Sequence, residues 1–157
     1  MKEHRVGVIL NGVTGRMGTN QHLMRSLVPI IEEGGVPLGA NETIIPDPIL
    51  VGRNAGKLKK LCELSGIHKM TTRLDEAFAD PPNLIYFDAQ TTGRRADGVR
   101  QAVEAGKHVY CEKPVAVDVQ TALDLHARCQ QAGVKSGVVQ DKLWLPGLIK
   151  LKRLVEN

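Results

Sequence analysis

A chain of 157 residues can bury a core of its own, and 42% hydrophobic content with only 3% aromatic makes that core aliphatic, as in a parallel sheet covered on both faces. The net charge of +4 is spread along the chain with few aromatics between the basic residues, which argues against a nucleic-acid partner and suits a small polyanion. Three widely spaced cysteines without a C-x-x-C exclude a disulfide framework, the five histidines form no ligand-spaced set, and no apolar run reaches membrane-spanning length, so no metal and no membrane are expected and the location is expected to be cytoplasmic.

Arg5 to Leu10 reads as a buried strand, whose apolar run, Val6 to Leu10, is too short for a signal-peptide core. Gly12-Val13-Thr14-Gly15-Arg16-Met17-Gly18 follows, and then a helix with Leu23, Leu27 and Ile31 on one stripe and Met24 and Val28 beside it. Strand, glycine turn and helix are the context of a dinucleotide-phosphate site. Glycine allows the tight turn and the close approach of backbone to a pyrophosphate, and the helix start supplies N–H groups and a favourable dipole. The spacing is G-x-x-G-x-x-G, one residue longer at its first step than G-x-G-x-x-G, and Arg16 adds a cation.

Pro29 is expected to kink or shorten this helix, Gly34-Gly35 to end it, and the stretch to Pro48 to be an irregular loop. The second strand is expected at Ile49 to Gly52, ending in Arg53-Asn54. At that strand end an acid receives the 2′-hydroxyl of NAD, whereas an arginine accommodates the 2′-phosphate of NADP. Arg53, with Lys57 one turn into the next helix, points to NADP in preference to NAD.

A helix from Ala55 to about Leu64 leads to a weak strand near Lys69–Thr72, a short helix near Leu74–Ala79, and a buried strand from Leu84 to Ala89. Gln90-Thr91-Thr92-Gly93-Arg94-Arg95 sits at its carboxyl end, before a helix whose inner face carries Ala96, Val99, Ala102 and Val103. His108 to Cys111 is the next strand. It delivers Glu112-Lys113-Pro114 to the sheet's carboxyl edge, where ligands bind in open parallel sheets. Ala122, Leu125, Cys129 and Ala132 mark a helix closed by Gly133, Val134 to Val139 a last strand, and Pro146 starts an amphipathic stretch. The alternation predicts an α/β, Rossmann-like, doubly wound parallel sheet with helices on both faces, over one domain spanning 1–157. The strand from Arg5 should be central, with the loops after Leu10, Gly52, Ala89 and Cys111 on one edge.

With both motifs placed, the chain resembles the amino-terminal half of the Gfo/Idh/MocA oxidoreductases. The carrying residues are the glycine loop and Ala105-Gly106-Lys107-His108-Val109-Tyr110-Cys111-Glu112-Lys113-Pro114. The resemblance implies hydride transfer between a nicotinamide and a hydroxyl-bearing carbon of a sugar, cyclitol or related polyol, in a full-length form that is a homo-oligomer. It places Lys113 beside the nicotinamide as the residue that accepts or relays the hydroxyl proton. Glu112 then orients that lysine or binds cofactor, and Thr91 and Thr92 serve the nicotinamide ribose. Relatives carry Thr-Pro-Asn and a nearby histidine where this chain has Gln90, Thr91, Thr92 and Arg95, and they continue into a carboxyl-terminal substrate and oligomerisation domain that this chain does not include. The glycine loop also resembles that of dihydrodipicolinate reductase, which lacks Glu-Lys-Pro. Two further alternatives are a non-catalytic dinucleotide sensor and an interaction domain on the same fold.

Overall fold

The computed structural model describes residues 2–156; of the expected 1–157 domain, Met1 and Asn157 lie outside the described residues. The first strand, β1 (Lys2–Asn11), is central and pairs in parallel with β3 (Glu42–Val51) on one side and β5 (Asn83–Asp88) on the other. Beyond β5 lie β6 (His108–Cys111) and β7 (Ser136–Val138), both parallel. On the other flank the short β2 (Val36–Pro37) runs antiparallel to β3, and β4 (Met70–Thr71) pairs with the carboxyl end of β3. The spatial order β2-β3-β1-β5-β6-β7 reverses direction at β1.

Side-chain alternation along the strands sorts the core into two layers. Ile9, Val51, Tyr86 and Val109 point to one face, where they pack with α3 (Leu74–Ala79), α4 (Thr92–Glu104) and α5 (Val119–Gln131). Their immediate neighbours Leu10, Leu50 and Phe87 point to the other, under the first helix, α1 (Met17–Leu27 continuing through Val28–Glu32), and α2 (Ala55–Ser65). Burying each such aliphatic side chain stabilises the fold by about 1.5–3 kcal/mol. The chain leaves β1 toward β3 and leaves β5 toward β6, so crossovers of one hand place α1 and α4 on opposite faces.

Two elements depart from the sequence expectation. The region before Ile49 is not a loop: β3 begins at Glu42 and carries Pro46 and Pro48 within a ladder to β1. The Leu50 N–H donates outward to the Lys69 carbonyl, and by alternation positions 46 and 48 face that same outer side. There β2 reaches only Thr43 and Ile44, and β4 only Leu50 and Val51, so neither proline faces a ladder partner. A proline costs nothing where its N–H would have faced no partner. The second departure is the winding of α1, which changes beside Pro29, expected to kink or shorten the helix; α1 ends at Glu32, just before Gly34-Gly35 as expected. The helix is wound with i→i+5 bonds over Met17–Leu27, as from the Val28 N–H to the Leu23 carbonyl, and closes with an α-helical turn at Val28–Glu32 that contains Pro29. Leu23 and Val28, five apart, are its buried pair.

Pro146–Glu156 forms the amphipathic α6, reached through a turn at Asp141–Trp144. None of its side chains is buried, and Leu151, Leu154 and Val155 are exposed. No helix among the described residues is long and apolar enough to cross a membrane.

Candidate functional site

The register of the sheet sets the site. Val51, Asn11, Asp88 and Cys111 are direct partners across four neighbouring strands, so the loops after β3, β1, β5 and β6 open onto one rim. The reversal of strand order at β1 separates the loops after β1 and β5, which is where a parallel sheet offers a crevice.

The glycine loop fills the centre of that rim. Gly12 has φ +81°, and a Cβ there would stand 2.7 Å from the Gln90 nitrogen. A Cβ at Gly18 would stand 2.6 Å from the Gly12 carbonyl oxygen, so this glycine lets α1 lie directly on the loop. Gly15 differs: its Cβ would meet only the Gly12 oxygen, at 3.2 Å, and its open side faces a cavity of about 310 Å³. Gly12, Thr14, Gly15, Arg53, Lys57, Gln90, Thr91 and Arg94 line that cavity. A second hollow of about 430 Å³ shares Arg53, Gln90 and Arg94 with it and continues along α4 to Asp97 and Gln101. Among the remaining loop residues, Val13 is buried in the core, so only its backbone faces the site, and Arg16 and Met17 begin α1. Neither α1 nor α4 has a side-chain cap, whereas Asn54 caps α2 and Asp118 caps α5. The two helix starts nearest the cavity thus keep N–H groups free of side-chain partners.

These residues fit a dinucleotide. The cradle is backbone where a diphosphate would lie, with room at Gly15, and Arg53, Lys57 and Arg94 border it without an acid in the lining. Asn54 Oδ1 accepts from the Lys57 N–H at 2.9 Å, so its carbonyl is engaged in capping. Thr91 lines the cavity, and Thr92 is the first residue of α4.

Lys113 stands one strand further along the rim. It is exposed, and its amine has no hydrogen-bond or ion-pair partner among the described residues. Its backbone, in contrast, is held on both sides. Glu112 is buried; its Oε2 accepts from the Lys113 N–H at 3.1 Å, and its Oε1 accepts from His22 Nε2 of α1 at 2.7 Å. With both oxygens engaged, Glu112 orients the turn that carries the lysine. On the other side the Arg95 guanidinium donates from Nη1 to the Pro114 carbonyl, from Nη2 to the Gln90 carbonyl at 2.8 Å, and from Nε to Asp88 Oδ1 at 3.2 Å. Asp88 also accepts from the Gln90 backbone N–H and, on Oδ2, from Gln90 Nε2 and the Tyr86 hydroxyl. Burial, and then the Asp88 charge, push the Tyr86 phenol well above its ordinary range, which keeps it a donor. Burial likewise pushes the Cys111 thiol up to about 11, so it is not a nucleophile behind Lys113.

Gln90, Arg94 and Arg95, which the sequence places on the rim without a role, and Asp88 and His22, to which it does not point, are the further residues of the site. The first three follow directly after a strand end on the ligand-binding rim, a legible signal. His22 joins the site only through Glu112, distant in sequence, whereas Asp88 joins it through Gln90 and Arg95 nearby. A larger apolar hollow of about 680 Å³ lies between α5 and the β6–β7 edge, away from the glycine loop.

A family model described as an oxidoreductase family with an NAD-binding Rossmann fold matches residues 49–140. D-xylose dehydrogenase of Paenarthrobacter nicotinovorans is 47% identical over 152 residues, which cover 97% of this chain and 39% of that protein. The chain thus spans about two fifths of that relative's length. Two solved structures share the fold. Levoglucosan dehydrogenase in complex with NADH and levoglucosan has a TM-score of 0.77 at 20% identity, over 99% of this chain and 40% of that one. The WlbA dehydrogenase of Bordetella pertussis in complex with NADH and UDP-GlcNAcA has a TM-score of 0.76 at 19% identity, over the same shares.

Proposed function

The chain belongs to the Gfo/Idh/MocA oxidoreductase family, and on that premise we propose that it is the dinucleotide-binding domain of an NADP-preferring dehydrogenase acting on a sugar or related polyol. The observation that carries this reading is the convergence, on one rim, of a backbone cradle open at Gly15 and a lysine whose backbone is held while its amine is free. The D-xylose dehydrogenase relative supports a sugar as substrate. Arg53, Lys57 and Arg94 around an acid-free cavity support NADP.

In this reading Gly12, Val13, Thr14, Gly15, Arg16, Met17 and Gly18 hold the diphosphate through backbone N–H groups and the start of α1. Arg53 receives the 2′-phosphate, with Lys57 and Arg94 beside it. Thr91 and Thr92 border the nicotinamide ribose. The cofactor, when bound, supplies the hydride acceptor or donor. Lys113 accepts the proton of the reacting hydroxyl during oxidation and returns it during reduction. Glu112 fixes the root of that lysine. The substrate is presented from a further domain of the kind that relatives carry, and the full-length protein is a homo-oligomer.

Thermal unfolding with NADP and NAD, followed by an absorbance assay for sugar-dependent NADPH formation, tests the proposal. Ligand at a hundred times its dissociation constant stabilises by about 2.7 kcal/mol, and at about 2–4 °C per kcal/mol the midpoint should rise by roughly 5–11 °C. NADP should give the larger rise. Lys113→Ala should retain the rise and lose sugar-dependent NADPH formation in the full-length protein. No rise with either dinucleotide would refute the reading.

A further inference from the structure

We propose that Arg95 is a positioning residue for Lys113: its guanidinium ties the Lys113–Pro114 turn to the loop after β5, so that the lysine amine and the nicotinamide end of the cofactor meet at a fixed separation. The inference rests on the reading of Lys113 given above and adds a residue to it.

Arg95 and Asp88 form an ion pair whose side chains are 2% and 0% exposed. A buried pair of this kind is no strong stabiliser by itself, since well-packed apolar side chains of similar volume hold a fold as well or better. What a guanidinium adds is geometry. Its planar fork presents several donors at fixed angles, which an ammonium does not. Here the fork reaches three chain segments at once: Asp88 at the end of β5, the Gln90 carbonyl in the loop that follows, and the Pro114 carbonyl after β6. Asp88 is itself held by Tyr86 and Gln90, so it is a fixed anchor for Arg95. The Glu112 N–H donates to the Asp88 carbonyl at 2.9 Å, which closes the connection between the two strand ends. Lys113 is therefore pinned at its own N–H by Glu112 and, one residue on, at a carbonyl by Arg95, while its side chain is left free. The loop that Arg95 grips on its other side includes Gln90 and Thr91, which line the cofactor cavity. One side chain thus sets the distance between the cavity wall and the lysine.

The test uses the full 157-residue chain with ¹³C-labelled lysine, the Lys113 resonance being assigned by its loss in Lys113→Arg. Its displacement on saturation is read with NADP⁺ and with 2′,5′-ADP, which lacks the nicotinamide half. In the unaltered protein NADP⁺ should displace the resonance and 2′,5′-ADP should not. In Arg95→Lys and Arg95→Gln the displacement should fall below half, with the NADP⁺ dissociation constant changed less than about fivefold. Arg100→Gln, at a half-buried arginine of the same helix that pairs with Asp97 and Asp124 and has no bond to the Lys113 turn, should match the unaltered protein. A full displacement in either folded Arg95 variant would overturn the proposal. An unaltered-protein resonance that ignores bound NADP⁺ would overturn it together with the reading of Lys113 on which it rests. Should both variants unfold, backbone relaxation of the unaltered chain decides. A Lys113 amide as rigid as β6 supports the pinning, and an order parameter below about 0.6 overturns it.

Discussion

With Arg53 at the 2′-phosphate as proposed, replacing it by Asp should shift the balance of binding from NADP toward NAD. Arg53 is exposed directly after β3, with Lys57 one turn on and Arg94 across the cavity, and neither Asp nor Glu lines that space. Two unit charges 4 Å apart interact by about 1 kcal/mol in water and about 4 kcal/mol at the effective dielectric of a protein surface. Changing the sign of one charge beside the 2′-phosphate doubles these to about 2–8 kcal/mol, and the exposure of Arg53, with Lys57 and Arg94 nearby, holds the shift in the NADP-to-NAD balance to about 2–4 kcal/mol. At 1.4 kcal/mol per factor of ten, that is roughly a 30- to 700-fold change in the ratio of dissociation constants. The new carboxylate also gives the free ribose hydroxyls of NAD an acceptor. Titration calorimetry of both proteins with both dinucleotides measures the ratio. Repeating it at higher salt should shrink the starting preference, because screening acts over about 8 Å at physiological ionic strength. A change in the ratio below about threefold would show that Arg53 does not meet the 2′-phosphate.

Two further expectations concern the scaffold. His22→Ala leaves the Glu112 carboxylate, 6% exposed, without its imidazole partner. Breaking a buried pair from one side costs about 3–5 kcal/mol, so the unfolding midpoint should fall by roughly 6–20 °C at about 2–4 °C per kcal/mol; a fall below about 2 °C would mean that water replaces the imidazole. Stability should also decline at alkaline pH. The Cys111 thiol and the Tyr86 phenol are raised in the folded state, so their contribution is whole below the unfolded values near 9.0 and 10.0. It is lost as pH rises beyond those values, the thiol's share between 9.0 and about 11, where each tenfold weakening of its acidity on folding counts for about 1.4 kcal/mol. Denaturant midpoints measured from about pH 7 to pH 11 check this, and Cys111→Ala should lessen the decline over the thiol's share of that range.

What the sequence made legible was set by local chemistry. The glycine loop between an apolar strand and an amphipathic helix is readable because each part is contiguous, and so is the run from His108 to Pro114. Helix α5 was readable from the spacing of Ala122, Leu125, Cys129 and Ala132 and from Gly133 at its end, which has positive φ. Pro46 and Pro48 misled because proline is excluded from a strand only where its N–H would face a partner, and the reach of β2 and β4 cannot be known from β3 alone. The winding of α1 was hidden because Leu23, Leu27 and Ile31 fit a wide helix as well as a regular one. Arg95 could be placed at a strand end on the rim but given no role there. Its burial depends on Asp88 and on the Pro114 carbonyl, 7 and 19 residues away.

The two clamps on Lys113 come from opposite sides of the sheet. His22 belongs to α1, which packs with Leu10 and Leu50, and Arg95 to α4, which packs with Ile9 and Tyr86. Neither layer by itself fixes the turn: the α1 side holds Glu112 and, through it, the Lys113 N–H, while the α4 side holds the Pro114 carbonyl. A parallel sheet makes this possible because its crossovers leave β1 and β5 in opposite directions and put helices on both faces of one strand end. Packing of both layers is thereby coupled to the position of a single amine. Core substitutions under α1 and under α4 should disturb Lys113 from different sides, and their effects on it should couple and not simply add, because both clamps hold adjacent residues of one turn and are joined by the bond from the Glu112 N–H to the Asp88 carbonyl.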